Sequence, residues 1–89
     1  MDADASPYRR KLEEIWRIRL QVARVKYDSA LAQSREAVRE QREWPLTPPD
    51  GSFSVRRALR EESAARSEYM RTLRVFTDLI VNGKIPEER

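Results

Sequence analysis

Residues 8 to 44 contain neither glycine nor proline, and a proline stands at each border, at positions 7 and 45. Alanine, leucine, arginine, glutamate and glutamine dominate the stretch, and with no residue to break the backbone it predicts a single helix over 7–44. Ser6 suits the N-cap and Pro7 the first helical position, where a missing amide costs nothing. Pro45 stops the helix, because it disfavours helical geometry at Trp44 and cannot donate a hydrogen bond backward.

The next segment, EWPLTPPDGSF at 43–53, gathers three prolines and a glycine. Its composition predicts a stiff bend over 45–53, with Asp50 and Gly51 as turn residues and Trp44, Leu46 and Phe53 covering the end of a core. A polyproline ligand or a Thr-Pro modification site at Thr47 is the rival reading of the same residues. A second helix follows over 54–82, with Phe53 stapled against Ala58. It closes at Gly83, which can take the left-handed conformation, and Pro86 prevents its resumption.

At about 100° per residue, Leu12, Trp16, Leu20, Ala23, Tyr27, Ala30, Leu31, Ser34, Ala37 and Val38 share one stripe of the first helix. In the second, Val55, Ala58, Leu59, Ala65, Tyr69, Leu73, Phe76 and Ile80 do the same. Two such stripes on either side of a short bend predict an all-α fold: an antiparallel two-helix hairpin forming one domain, with tails at 1–6 and 84–89. A bend centred near residue 49 would bring Ile80 beside Ile18 and let Ile85 fold toward Leu12 and Tyr8. The pairs Glu13 with Arg17, Arg39 with Glu43, Glu62 with Arg66 and Arg74 with Asp78 have helical spacing.

Ile15, Ile18, Val22 and Val25 form a second apolar set on the first helix, about 100–180° from the centre of the first stripe. One partner helix cannot cover both sets, and bare patches of this kind mark contact sites. The expected working surface is Ile15, Trp16, Ile18, Leu20, Val22 and Val25, through which hairpins would pair into a homodimeric four-helix bundle or dock another helical protein.

Glu62 falls within the apolar stripe of the second helix, level with Ser34 and near Arg66, Tyr27 and Tyr69. A buried polar layer of Ser34, Glu62 and Arg66 that fixes helix register is the main reading. A carboxylate with a raised pKa, acting as an acid or base, is the lesser one. Arg10, Arg17 and Arg24, seven apart, form a line that could hold a polyanion. Against nucleic acid stand a net charge of only +3, from 18 basic and 15 acidic residues, and the absence of a recognition signature.

The chain has no cysteine and no histidine, which removes disulfides, thiolate and imidazole metal ligands and the usual neutral-pH base. No cofactor is expected. No motif joins Arg17, Arg24 and Glu62 into catalytic machinery, so the chain reads as a non-enzyme. With neither a secretory pattern in MDADASPYRR nor a membrane-spanning apolar run, the expectation is a cytoplasmic protein acting through protein association.

Overall fold

The computed structural model describes residues 7–44 and 50–86. Helix α1 spans Pro7–Glu43 and helix α2 spans Asp50–Asn82, and the two pack side by side as an antiparallel hairpin. The molecule measures 65 × 20 × 16 Å. It is two helices wide and one deep, so an α1 residue turned away from α2 meets no other helix of its own chain.

α1 follows its sequence closely. Leu12, Trp16, Ala23 and Ser34 are buried, and Leu20, Tyr27, Ala30, Leu31, Ala37 and Val38 are half-buried. The N–H of Trp44 still donates to the Glu40 carbonyl at 2.7 Å, so the helical pattern persists to the last residue before Pro45.

α2 begins at Asp50, four residues before the predicted start. The amides of a helix's first turn have no intrahelical acceptor, so the expected turn residues Asp50 and Gly51 can lie inside that turn, directly after Pro49. Phe53 therefore sits in the helix rather than ahead of it, lining a shallow surface depression with Arg57, Arg60, Glu61 and Ala64. Both Phe53 and Trp44 are exposed, which corrects the expectation that they staple and cover the core. Leu46, Thr47 and the remainder of the proline-rich bend lie outside the described residues.

The buried line of α2 also differs from the expected stripe. Leu79 is 0% exposed whereas its neighbour Ile80 is 39% exposed, and Leu59 is exposed too. The observed inner line is Val55, Ala58, Glu62, Ala65, Tyr69, Thr72, Phe76 and Leu79, which are buried or half-buried. Steps of three and four alternate along it. Its mean period of 3.5 drifts about 20° per heptad from a stripe drawn at a fixed 100° per residue, enough to exchange Leu79 for Ile80 after several turns. Thr72 is admitted to this interior because its hydroxyl donates back to the Glu68 carbonyl at 2.8 Å.

Leu12, Trp16 and Leu79, with Val75 and Phe76 against them, make the apolar core near the open end of the hairpin. That end is fastened by Arg9. Its guanidinium donates to the Leu79 carbonyl at 2.9 Å and to the Glu13 carboxylate at 3.2 Å, serving a carbonyl that the end of α2 leaves without an intrahelical partner. Gly83 then turns the chain with φ +67°, and the Lys84 amide reaches back to the Asp78 carbonyl at 3.1 Å. Glu13 thus pairs with Arg9 rather than Arg17, whose guanidinium lies 5.8 Å from the Phe76 ring centroid. Asp78 accepts from Asn82 at 3.3 Å, in place of the expected Arg74 pair.

Candidate interaction surface and polar layer

The helix register is set out by two contacts across the middle of the hairpin. The rings of Tyr27 and Tyr69 stack with centroids 5.9 Å apart and planes 18° from parallel. Two turns on, the Ser34 hydroxyl donates to Glu62 Oε1 at 2.6 Å. Trp16 thereby comes level with Ile80, where Ile18 was expected.

Glu62 reaches Ser34 with one carboxylate oxygen and receives Arg66 Nη2 on the other at 2.7 Å. Ser34 is buried and the Glu62 side chain nearly so, while the Arg66 guanidinium reaches solvent. The Ser34 hydroxyl first, and then the Arg66 guanidinium, hold the Glu62 carboxyl below its ordinary value; Arg35 adds a weaker pull in the same direction. Arg66 is raised, chiefly by its contact with the Tyr27 hydroxyl and then by Glu62. A carboxylate held down in this way is a weaker base than free glutamate, which corrects the reading of Glu62 as a raised-pKa acid or base.

Trp16 does not belong to the outward surface. It is buried between the helices against Leu12 and Leu79, its indole lies under Arg19 at 4.6 Å from guanidinium to ring, and its Nε1 is buried with no hydrogen-bond partner among the described residues. The period of the first stripe accounts for this placement. Leu20 is half-buried beside it.

The other four apolar residues of this region remain open. Ile15 is 36%, Ile18 55%, Val22 49% and Val25 66% exposed. Ile18 and Val22 stand at the rim of a shallow cavity of about 370 Å³, whose walls include Arg19 and Lys26 from α1 and Glu68 and Thr72 from α2. The described residues after α2 do not cover the four. Its Ile85 and Pro86 line a separate depression with Trp16 and Val75, away from the expected seat at Tyr8, which is itself exposed.

Charges border this patch unequally. At helical spacing Glu14, Gln21 and Asp28 follow one edge and Arg19 and Lys26 the other, and all five are exposed. Of the predicted arginine line, Arg24 makes a long contact to Asp28 at 3.9 Å and Arg17 covers Phe76. Arg10 is exposed and makes no hydrogen bond or ion pair with the described residues. The line is therefore partly occupied by intrachain contacts.

Arg9 and Leu79 are the structural residues that periodicity missed: Arg9 looked like one more surface charge, and Leu79 lay just outside the projected stripe. Among the described residues no helix is long and apolar enough to cross a membrane, and no group of three acidic side chains could hold a metal ion. No protein-family model, curated protein or solved structure matches the chain.

Proposed function

We propose that the protein acts through self-association, as a structural or adaptor subunit, with two hairpins meeting along α1 in a homodimeric four-helix assembly. The exposure of Ile15, Ile18, Val22 and Val25 on a helix whose opposite side already holds the hairpin core is the observation that supports this reading. Each branched side chain gains about 1.5–3 kcal/mol when fully buried, so a face of four represents several kcal/mol of unused burial. A second copy is the favoured occupant because the face carries acid along one edge and base along the other, and so can complement itself.

The reading is tested by mass in solution. Light scattering on the wild-type chain should give twice the 10.5 kDa chain mass. The double variant Ile18→Glu with Val22→Glu should return the mass to one chain while circular dichroism stays helical, since both side chains are exposed on the single hairpin. A wild-type monomer, or a double variant of unchanged mass, would remove the proposal. A wild-type mass of three or more chains would replace the dimer with a larger assembly.

A further inference from the structure

Resting on that reading, we infer that the two copies of α1 run parallel, with the two-fold axis along the hairpin and Glu14 of each chain facing Arg19 of the other. The inference comes from the order of residues around the patch rather than from its apolarity.

Ile15, Ile18, Val22 and Val25 are spaced by three, four and three residues, the spacing of a seam between two helices. Ser29, one heptad beyond Val22, and Lys11, one heptad before Ile18, bound the seam with polar side chains. Glu14, Gln21 and Asp28 each immediately precede a residue of the Ile15, Val22, Ser29 row. Arg19 and Lys26 each immediately follow one of the Ile18, Val25 row. In two parallel helices, a residue of the first edge faces the residue five positions further along the second edge of its neighbour. In two antiparallel helices each edge faces its own copy.

These alternatives are electrostatically opposite. Parallel docking sets Glu14 against Arg19 and Gln21 against Lys26, twice over by symmetry. Antiparallel docking centred on the four apolar residues sets Glu14 near Asp28 and the Arg19 and Lys26 edge against itself, so like charges meet on both sides. Exposed pairs are individually weak, but here every pair changes sign or is lost together.

The chain contains no cysteine, so orientation can be read with single cysteines in the full-length protein. Ile15→Cys and Val25→Cys are each oxidised under mild conditions and resolved by non-reducing gel. In a parallel pair both variants should form a disulfide with their own copy, because equivalent seam positions lie within the roughly 7 Å that a disulfide spans. The two positions are about 15 Å apart along the helix, so one antiparallel register can permit self-linkage at one of them at most. It would favour the mixed disulfide between Ile15→Cys and Val25→Cys chains.

Charge exchange gives an independent readout. Glu14→Arg alone and Arg19→Glu alone should each weaken self-association by roughly five- to tenfold, while an equimolar mixture should recover it as a heterodimer, visible by native mass spectrometry with one chain isotopically labelled. Circular dichroism confirms that each variant remains helical. Self-linkage at both positions with heterodimer recovery supports the parallel arrangement. A predominant mixed disulfide, or a dimer that self-links at neither position, overturns the orientation and leaves self-association standing. A monomeric mass with no disulfide at either position overturns both.

Discussion

At the open end of the hairpin Leu12, Trp16 and Leu79 close an apolar core under the Arg9 clasp, whereas in its middle Ser34 and Glu62 meet in a polar contact beside the stacked tyrosines. Burial of apolar surface is non-directional and tolerates a slip of one heptad as long as apolar residues still face each other. The middle contacts do not. A slip of either helix would part Tyr27 from Tyr69 and leave the Ser34 hydroxyl and the Glu62 carboxylate without each other. The apolar core therefore lies at one end, where the Arg9 hydrogen bond to the Leu79 carbonyl is the directional contact, and the side-chain contacts that depend on register lie at the centre, so the two can be perturbed separately.

The sharpest way to break this division is to exchange the expected importance of two leucines. Leu79→Ala removes the most buried large side chain among the described residues and should cost about 2–5 kcal/mol, a large share of the roughly 5–15 kcal/mol that holds a domain together. Leu59→Ala, nearer the bend and exposed, should cost less than about 1 kcal/mol. Thermal melts followed at 222 nm, at equal protein concentration, compare them directly. Equal losses would mean that the core extends evenly along the hairpin.

A smaller effect is expected at the clasp. Gly83 has φ +67°, and a Cβ placed there would stand 3.3 Å from Arg9 Nη1. The guanidinium is the far end of a flexible side chain and can move aside, so the left-handed backbone is the main obstacle, at about 1–2 kcal/mol for Gly83→Ala. Combined with Arg9→Ala, the two losses should fall short of additive in urea titrations, because both act on the same helix end. Strict additivity would show that the turn and the clasp work independently.

The hairpin was legible because α1 carries its apolar residues at helical spacing without interruption, and because Gly83 and Pro86 mark the end of α2. Contacts among residues of opposite helices could also be anticipated in the middle, since Ser34, Glu62, Tyr27 and Tyr69 follow once a bend is placed near residue 49. The beginning of α2 was not legible: Asp50 and Gly51 are turn formers by composition, yet a helix's first turn accepts them. Leu79 was hidden by the difference between periods of 3.5 and 3.6, which accumulates over a long helix. Arg9 was hidden for another reason. Its acceptor is a backbone carbonyl 70 positions away, and no local spacing announces a long-range contact to the main chain. The outward patch was visible as an excess of apolar faces, but Trp16 and Leu20 were joined to it although their spacing places them on the hairpin stripe, where both are buried or half-buried.

The smallest expected effect concerns the central contact and is best isolated by pH. The Glu62 carboxyl is held below the ordinary value of 4.5 by Ser34, Arg66 and, more weakly, Arg35. A depressed folded pKa means that the charged form is favoured by folding, so its stabilisation is fully present above the unfolded value and is lost as pH falls through the folded one. Glu62→Gln keeps an oxygen to accept from Ser34 but removes the charge that holds Arg66. Melting temperatures of the two proteins should therefore differ most near neutral pH and converge as the pH drops from about 4.5 toward the folded pKa. Glu36 and Glu68, whose carboxyls are lowered chiefly by Arg39 and Arg71, remain in both chains and supply a common acid dependence that cancels in the difference. A gap that stays constant from neutral to acid pH would show that the central contact acts through shape alone, and that its charge contributes nothing to the helix register.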